Sequence, residues 1–152
     1  MKPDEDDLKR HHKATVWTGG CIAASLLVYF GIVEVIRMRL APFYGFASIN
    51  DTQTLRFLFA GGAVLSLILL RILQPVFQKS VRNALPDEIP AKLARTSKNS
   101  LFLAEIPALL GLILFLLTGM NRDFYAFLVV SLILIFMYFP RLSSWRDIAA
   151  RA

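Results

Sequence analysis

One cysteine, Cys21, is the whole thiol inventory of this chain. A lone thiol makes neither a disulfide framework nor a metal cluster, and inside an apolar run it reads as a small packing residue. Histidine is almost as scarce. His11 and His12 are adjacent, so they do not share a helix face, and they read as part of a basic cluster with Lys9, Arg10 and Lys13 rather than as ligands. Neither lies in an apolar run, so haem ligation within one is not expected. There is no glycine-rich phosphate loop, no nucleophile elbow and no Rossmann fingerprint. The acidic residues from Asp4 to Asp7 read as a solvated charge run. These absences argue against an enzyme, and no metal or cofactor is expected.

Charge is also sparse: 18% of the 152 residues are charged, while 56% are hydrophobic and twelve are Phe. With a mean hydropathy of +0.55, the chain has too little polar residue for the surface of a soluble domain. Runs of about 20 apolar residues read as membrane helices, because a rise of about 1.5 Å per residue must cross roughly 30 Å of hydrocarbon. Four such runs are present, at about 14–36, 55–78, 100–119 and 124–139. The expected fold is an all-α membrane protein: four transmembrane helices in two antiparallel hairpins, with a short interfacial C-terminal helix. One transmembrane domain over 14–140 then lies between a polar N-terminus, 1–13, and a C-terminal helix, 141–152.

The run from Ala14 to Val33 holds 20 uncharged residues, longer than a signal-peptide core, and no small-x-small cleavage site follows. It is expected to be a retained first span. The first loop holds turn formers Pro42, Gly45, Asn50 and Asp51, and its Phe43, Tyr44 and Phe46 suit a membrane interface. Asp87 is placed to cap a new helix with Pro90 in its first turn, and that helix is expected to run through Ala91 to Arg95 into the third span. Ser144 and Asp147 have capping-box spacing, and Trp145 is expected to anchor the last helix on the membrane surface.

The net charge of +6 would suggest nucleic acid in a soluble protein. Here the basic residues flank the apolar runs, so orientation and contact with anionic head groups account for them, and no nucleic acid is expected. With four spans, twelve of the seventeen Lys and Arg fall on the side of both termini and four on the other, with Arg71 inside a span. The positive-inside rule then places both termini in the cytoplasm, and the protein is expected in a bacterial inner membrane.

The third run, Lys98 to Gly119, is the one the others are expected to pack around. It carries Glu105 two residues before Pro107. A carboxylate in a span is costly and needs protein or water around it, and a partner. Glu105 lies about 8 Å and Arg71 about 10 Å from the same side, by helix rise, on consecutive antiparallel spans. An Arg71–Glu105 pair is therefore expected. Glu34 and Arg37, three apart, share a face and are expected to form a second, interfacial pair. Gly19 and Gly20, Gly61 and Gly62, and Gly111 supply small positions for close helix packing.

The stretch Glu105-Ile-Pro-Ala-Leu-Leu-Gly111-Leu-Ile-Leu resembles the ion-carrying helix of rotary ATPase c subunits (proteolipids), where a membrane carboxylate is often followed six residues later by Gly-Leu. The resemblance covers about ten residues and implies Glu105 as a proton or sodium carrier. The closing pattern Asp123-Phe-Tyr, Tyr138-Phe-Pro-Arg141 and Trp145 resembles a family of uncharacterised small four-helix bacterial inner-membrane proteins. It implies a compartment and no activity. Two functions stay open: a structural or accessory membrane protein forming a homo-oligomer or joining a larger membrane complex, and an ion carrier using Glu105.

Overall fold

A computed structural model of the chain describes residues 5–47, 51–82 and 84–151. Residues 1–4 of the N-terminal segment, Asn50 of the first loop and Ala152 lie outside these. The described residues form five α-helices and no strand: α1 Glu5–Arg39, α2 Thr52–Arg82, α3 Ile89–Thr118, α4 Asn121–Tyr138 and α5 Leu142–Arg151, with a short 3-10 turn, Pro86–Glu88, before α3. The first four of these helices are long and apolar enough to cross a membrane, α2 over Thr52–Phe77.

α1 begins well before the expected span, α2 and α4 about one turn before theirs, and α3 where the expected extension put it. α1 is helical from Glu5 rather than from Ala14. Nothing between Glu5 and Lys13 breaks a helix, and Glu5, Asp6 and Asp7 sit in the first turn, where negative charge meets the positive end of the helix dipole. At 35 residues α1 is about 52 Å long, well beyond a hydrocarbon layer. α3 starts at Ile89, so the expected continuation through Ala91 to Arg95 is present. Its N-cap is Glu88, not Asp87, and makes no side-chain cap bond. Pro90 in the first turn removes one N–H that would need a cap.

The pairing of spans differs from two hairpins. α3 packs along each of the other three long apolar helices, α1 meets α4 only lightly, and α1 and α2 make no extended contact. Half (50%) of the most apolar stretch of α3 is buried in protein, against 17–22% for the other three. The cause is the small-residue surface of α3, where Ala104, Ala108 and Gly111 are all buried and let neighbours approach from several sides. A Cβ on Gly111 would lie 2.7 Å from Phe127 Cβ of α4. Pro107 lacks an N–H and interrupts the helix ladder. The next N–H, of Ala108, donates to Ser131 Oγ of α4 at 2.8 Å, a bond between two buried residues.

The main core joins Ile22 and Leu26 of α1, Leu70 of α2, Leu101, Ala104 and Ala108 of α3, and Leu134 and Ile135 of α4. A second cluster lies at the α5 end: Leu8, Val81, Ile89, Leu93, Ala94 and Trp145. This corrects the expected role of Trp145. Its ring is 3% exposed and turns into protein, with His12 edge-on at 5.2 Å. His12 Nε2 donates to the Pro140 carbonyl (3.2 Å) and Arg146 pairs with Glu5 (2.9 Å), so α5 is strapped to the start of α1. Ser144 and Asp147 lie inside α5, which begins at Leu142, and do not form the expected cap. Cys21 is exposed on α1 rather than packed.

At the opposite end the first loop folds over the end of α3. Phe46 N–H donates to Leu116 O (2.8 Å), supplying a partner for a carbonyl in the last turn. Gly45 (φ +90°) permits this approach, since a Cβ there would stand 2.2 Å from Leu117 O. Gly119, at φ +74°, ends α3 with its N–H on Phe115 O.

Candidate functional site

Glu105 is 8% exposed and faces α1. Two hydroxyls of α1 reach it: Ser25 Oγ donates to Oε1 at 2.5 Å and Tyr29 OH donates to the same oxygen at 2.7 Å. Ser25 and Tyr29 are four apart, one helical turn, and so present their hydroxyls on one face. Leu26 of α1, and Leu101, Ala104 and Ala108 of α3, belong to the apolar core around this meeting point. By rise along α1, Ser25 lies about 18 Å from Lys13 and the same from Arg37, midway between the flanking basic residues.

The chemistry of the cluster follows from its proton count. Ser25 Oγ is 2.7 Å from the Ile22 carbonyl as well as 2.5 Å from Glu105, but it has a single proton. With Glu105 ionised, Ser25 and Tyr29 both donate to the carboxylate. With Glu105 protonated, the acid can donate to Ser25, which passes its own proton to the Ile22 carbonyl. The same heavy-atom geometry thus suits either state, and neither leaves a buried acceptor bare.

The expected Arg71–Glu105 pair is not formed. Arg71 is exposed, and no described residue makes an ion pair or hydrogen bond with it. Ala63, Ser66 and Leu70 mark the buried face of α2. Arg71 is about 100° round the helix from Leu70 and so leaves that face. Ser25 and Tyr29 take the place assigned to it. Their signal in the sequence was two hydroxyl side chains one turn apart in an otherwise apolar segment.

Glu34 and Arg37 do come together, at 3.3 Å. Tyr125 of α4 completes the cluster: its OH donates to Glu34 Oε1, and Arg37 donates to Tyr125 OH at 3.0 Å. A further pair at this end, Arg56–Asp123 at 2.9 Å, ties the starts of α2 and α4. The glycines divide. Gly19 faces Phe139 and Leu101, Gly62 faces Leu110 and Gly111 faces Phe127, whereas a Cβ on Gly20 or Gly61 would meet open space. No group of three potential metal-ligating His, Cys, Asp or Glu occurs among the described residues.

Comparison of the chain with family models, with curated proteins and with solved structures finds no match in any of the three. The functional reading therefore rests on this geometry alone.

Proposed function

We propose that this chain is an integral membrane protein of structural or accessory type, a four-helix unit that assembles with itself or within a larger membrane complex. The observation that carries this reading is the inward closure of Glu105. Its carboxyl is buried, and both of its hydrogen bonds end on α1 of the same chain. A carboxyl held in this way clamps two spans. The outward positions Gly20 and Gly61 offer a neighbouring helix close approach. The charge distribution supports a bacterial inner membrane with both termini in the cytoplasm.

The second reading, proton or sodium exchange at Glu105, is favoured by one observation: its partners are neutral hydroxyls, and no Lys or Arg among the described residues pairs with it. Carbodiimide labelling of Glu105 in membranes, followed against pH and sodium, separates the two. A clamp resists labelling near neutral pH, whatever the sodium concentration. Labelling that sodium suppresses, or that follows a titration near neutrality, refutes the clamp and puts the carrier first.

A further inference from the structure

A cleft of about 430 Å³ opens at the α5 end, between the last turns of α2 and of α4, with α3 as its floor and α5 across it. α2 and α4 both pack on α3 with little contact between them, which leaves this wedge. Its polar lining includes Gln74 of α2, Thr96, Ser97 and Ser100 of α3, Arg141 and Ser144; Phe77 and Phe136 line its apolar part. Arg141 is charged, and no carboxylate among the described residues lines the cleft.

The hydroxyls here differ from others in the long helices. Thr15, Thr18, Ser25, Ser66, Thr118 and Ser131 each hydrogen-bond a backbone group of the chain. Thr96, Ser97 and Ser100 have no side-chain hydrogen bond to any described residue, and Arg141 has no ion pair with one. Ser100 is only 6% exposed and lines the cleft. The residue is nine-tenths buried, yet its unpartnered oxygen is not enclosed, so it opens to the cleft, where water or a ligand can meet it. α5 also begins at Leu142, beside Arg141, so its first N–H groups open near the same place.

We propose that this cleft is a binding site for one anionic glycerophospholipid, its phosphate held by Arg141 and the α3 hydroxyls and its acyl chains leaving along Phe77 and Phe136 between α2 and α4. The level fits. Lys98 and Arg141 bound the apolar runs of α3 and α4, which is where head groups lie. A mixed lining, polar at one end and aromatic at the other, matches an amphiphile better than a free anion. The proposal rests on the membrane reading above, and the test separates the two.

The chain has two tryptophans, Trp145 in the cleft and Trp17 exposed on α1. Each can be isolated, by Trp17→Phe or by Trp145→Phe, in the full chain reconstituted in nanodiscs. Fluorescence quenching is then read with phosphatidylglycerol or phosphatidylcholine brominated near the top of the acyl chains, each as a minor component of unbrominated phosphatidylcholine. Trp17 should be quenched equally by both lipids, and failure there overturns the membrane reading itself. Trp145 should be quenched preferentially by the anionic lipid. Arg141→Gln should weaken that preference about fivefold, the effect of one basic residue at a membrane surface. Thr96→Val should also weaken it. Arg95→Gln removes an equal charge outside the cleft and should leave the preference intact. Equal quenching of Trp145 by the two lipids, an absence of quenching, or equal losses in Arg95→Gln and Arg141→Gln overturns the site. Reversal of the quenching by inorganic phosphate assigns the cleft to a free anion and overturns the lipid.

Discussion

Removing Tyr29 OH and the Glu105 carboxylate, singly and together, measures what the buried cluster contributes. The cycle uses Tyr29→Phe, Glu105→Leu and the double variant, and isolates the contact because the two groups meet directly at 2.7 Å and leucine of similar volume leaves no acceptor for the Tyr29 hydroxyl. Interhelical hydrogen bonds between neutral groups in membranes average about 0.6 kcal/mol and reach about 1.7. Hydrogen bonds to a charged group are worth about 1.5–3 kcal/mol. The coupling energy therefore reports the charge on Glu105 as well as the bond. Reversible unfolding in mixed micelles or by steric trapping gives the four free energies. A coupling of about 0.6 kcal/mol indicates a neutral acid in the clamp, and one of about 2 an ionised carboxylate. Ser25→Ala combined with Glu105→Leu should give a coupling of the same sign, because Ser25 donates to the same oxygen. A Tyr29–Glu105 coupling of zero or of opposite sign would refute the clamp.

Three other outcomes are expected. Arg71→Leu and Glu105→Gln should be additive within about 0.5 kcal/mol, with no rescue of one by the other, because the two side chains do not pair; the same unfolding assay reads it. Gly111→Ala should destabilise by about 1–3 kcal/mol, since the added Cβ would lie 2.7 Å from the Cβ of Phe127, a backbone-fixed atom that only a shift of α4 against α3 relieves. Gly61→Ala, facing open space, should not affect the isolated chain by as much. Hydrogen bonding from the Thr54 side chain, and then from the Thr54 N–H at 3.0 Å, holds the Asp51 carboxyl at the start of α2 below the ordinary aspartate value. A depressed folded value stabilises the helix start above the ordinary value, and that contribution is lost as pH falls through the folded one. Hydrogen-exchange protection of the first turn of α2 should fall on acidification in that window, and Asp51→Ala should abolish the pH dependence.

Length and hydropathy were enough to find four long apolar helices, because helix rise ties residue count to distance along one axis. The same reading singled out the third segment, Glu105 within it and the local Glu34–Arg37 pair, whose three-residue spacing fixes both partners on one face. It failed where rotation about an axis mattered. Arg71 and Glu105 were placed at similar depths, yet depth says nothing about azimuth, and the buried face of α2 at Ala63, Ser66 and Leu70 turns Arg71 outward. Which neighbour Glu105 meets, how α3 comes to contact all three other long apolar helices, and that Trp145 turns into a cluster shared by α1, α2, α3 and α5 depend on contacts between residues far apart in sequence. Those contacts are chosen by the fit of small against large side chains, Gly111 on Phe127 and Gly19 on Phe139. That fit is a property of two surfaces at once, so only the tertiary structure decides it.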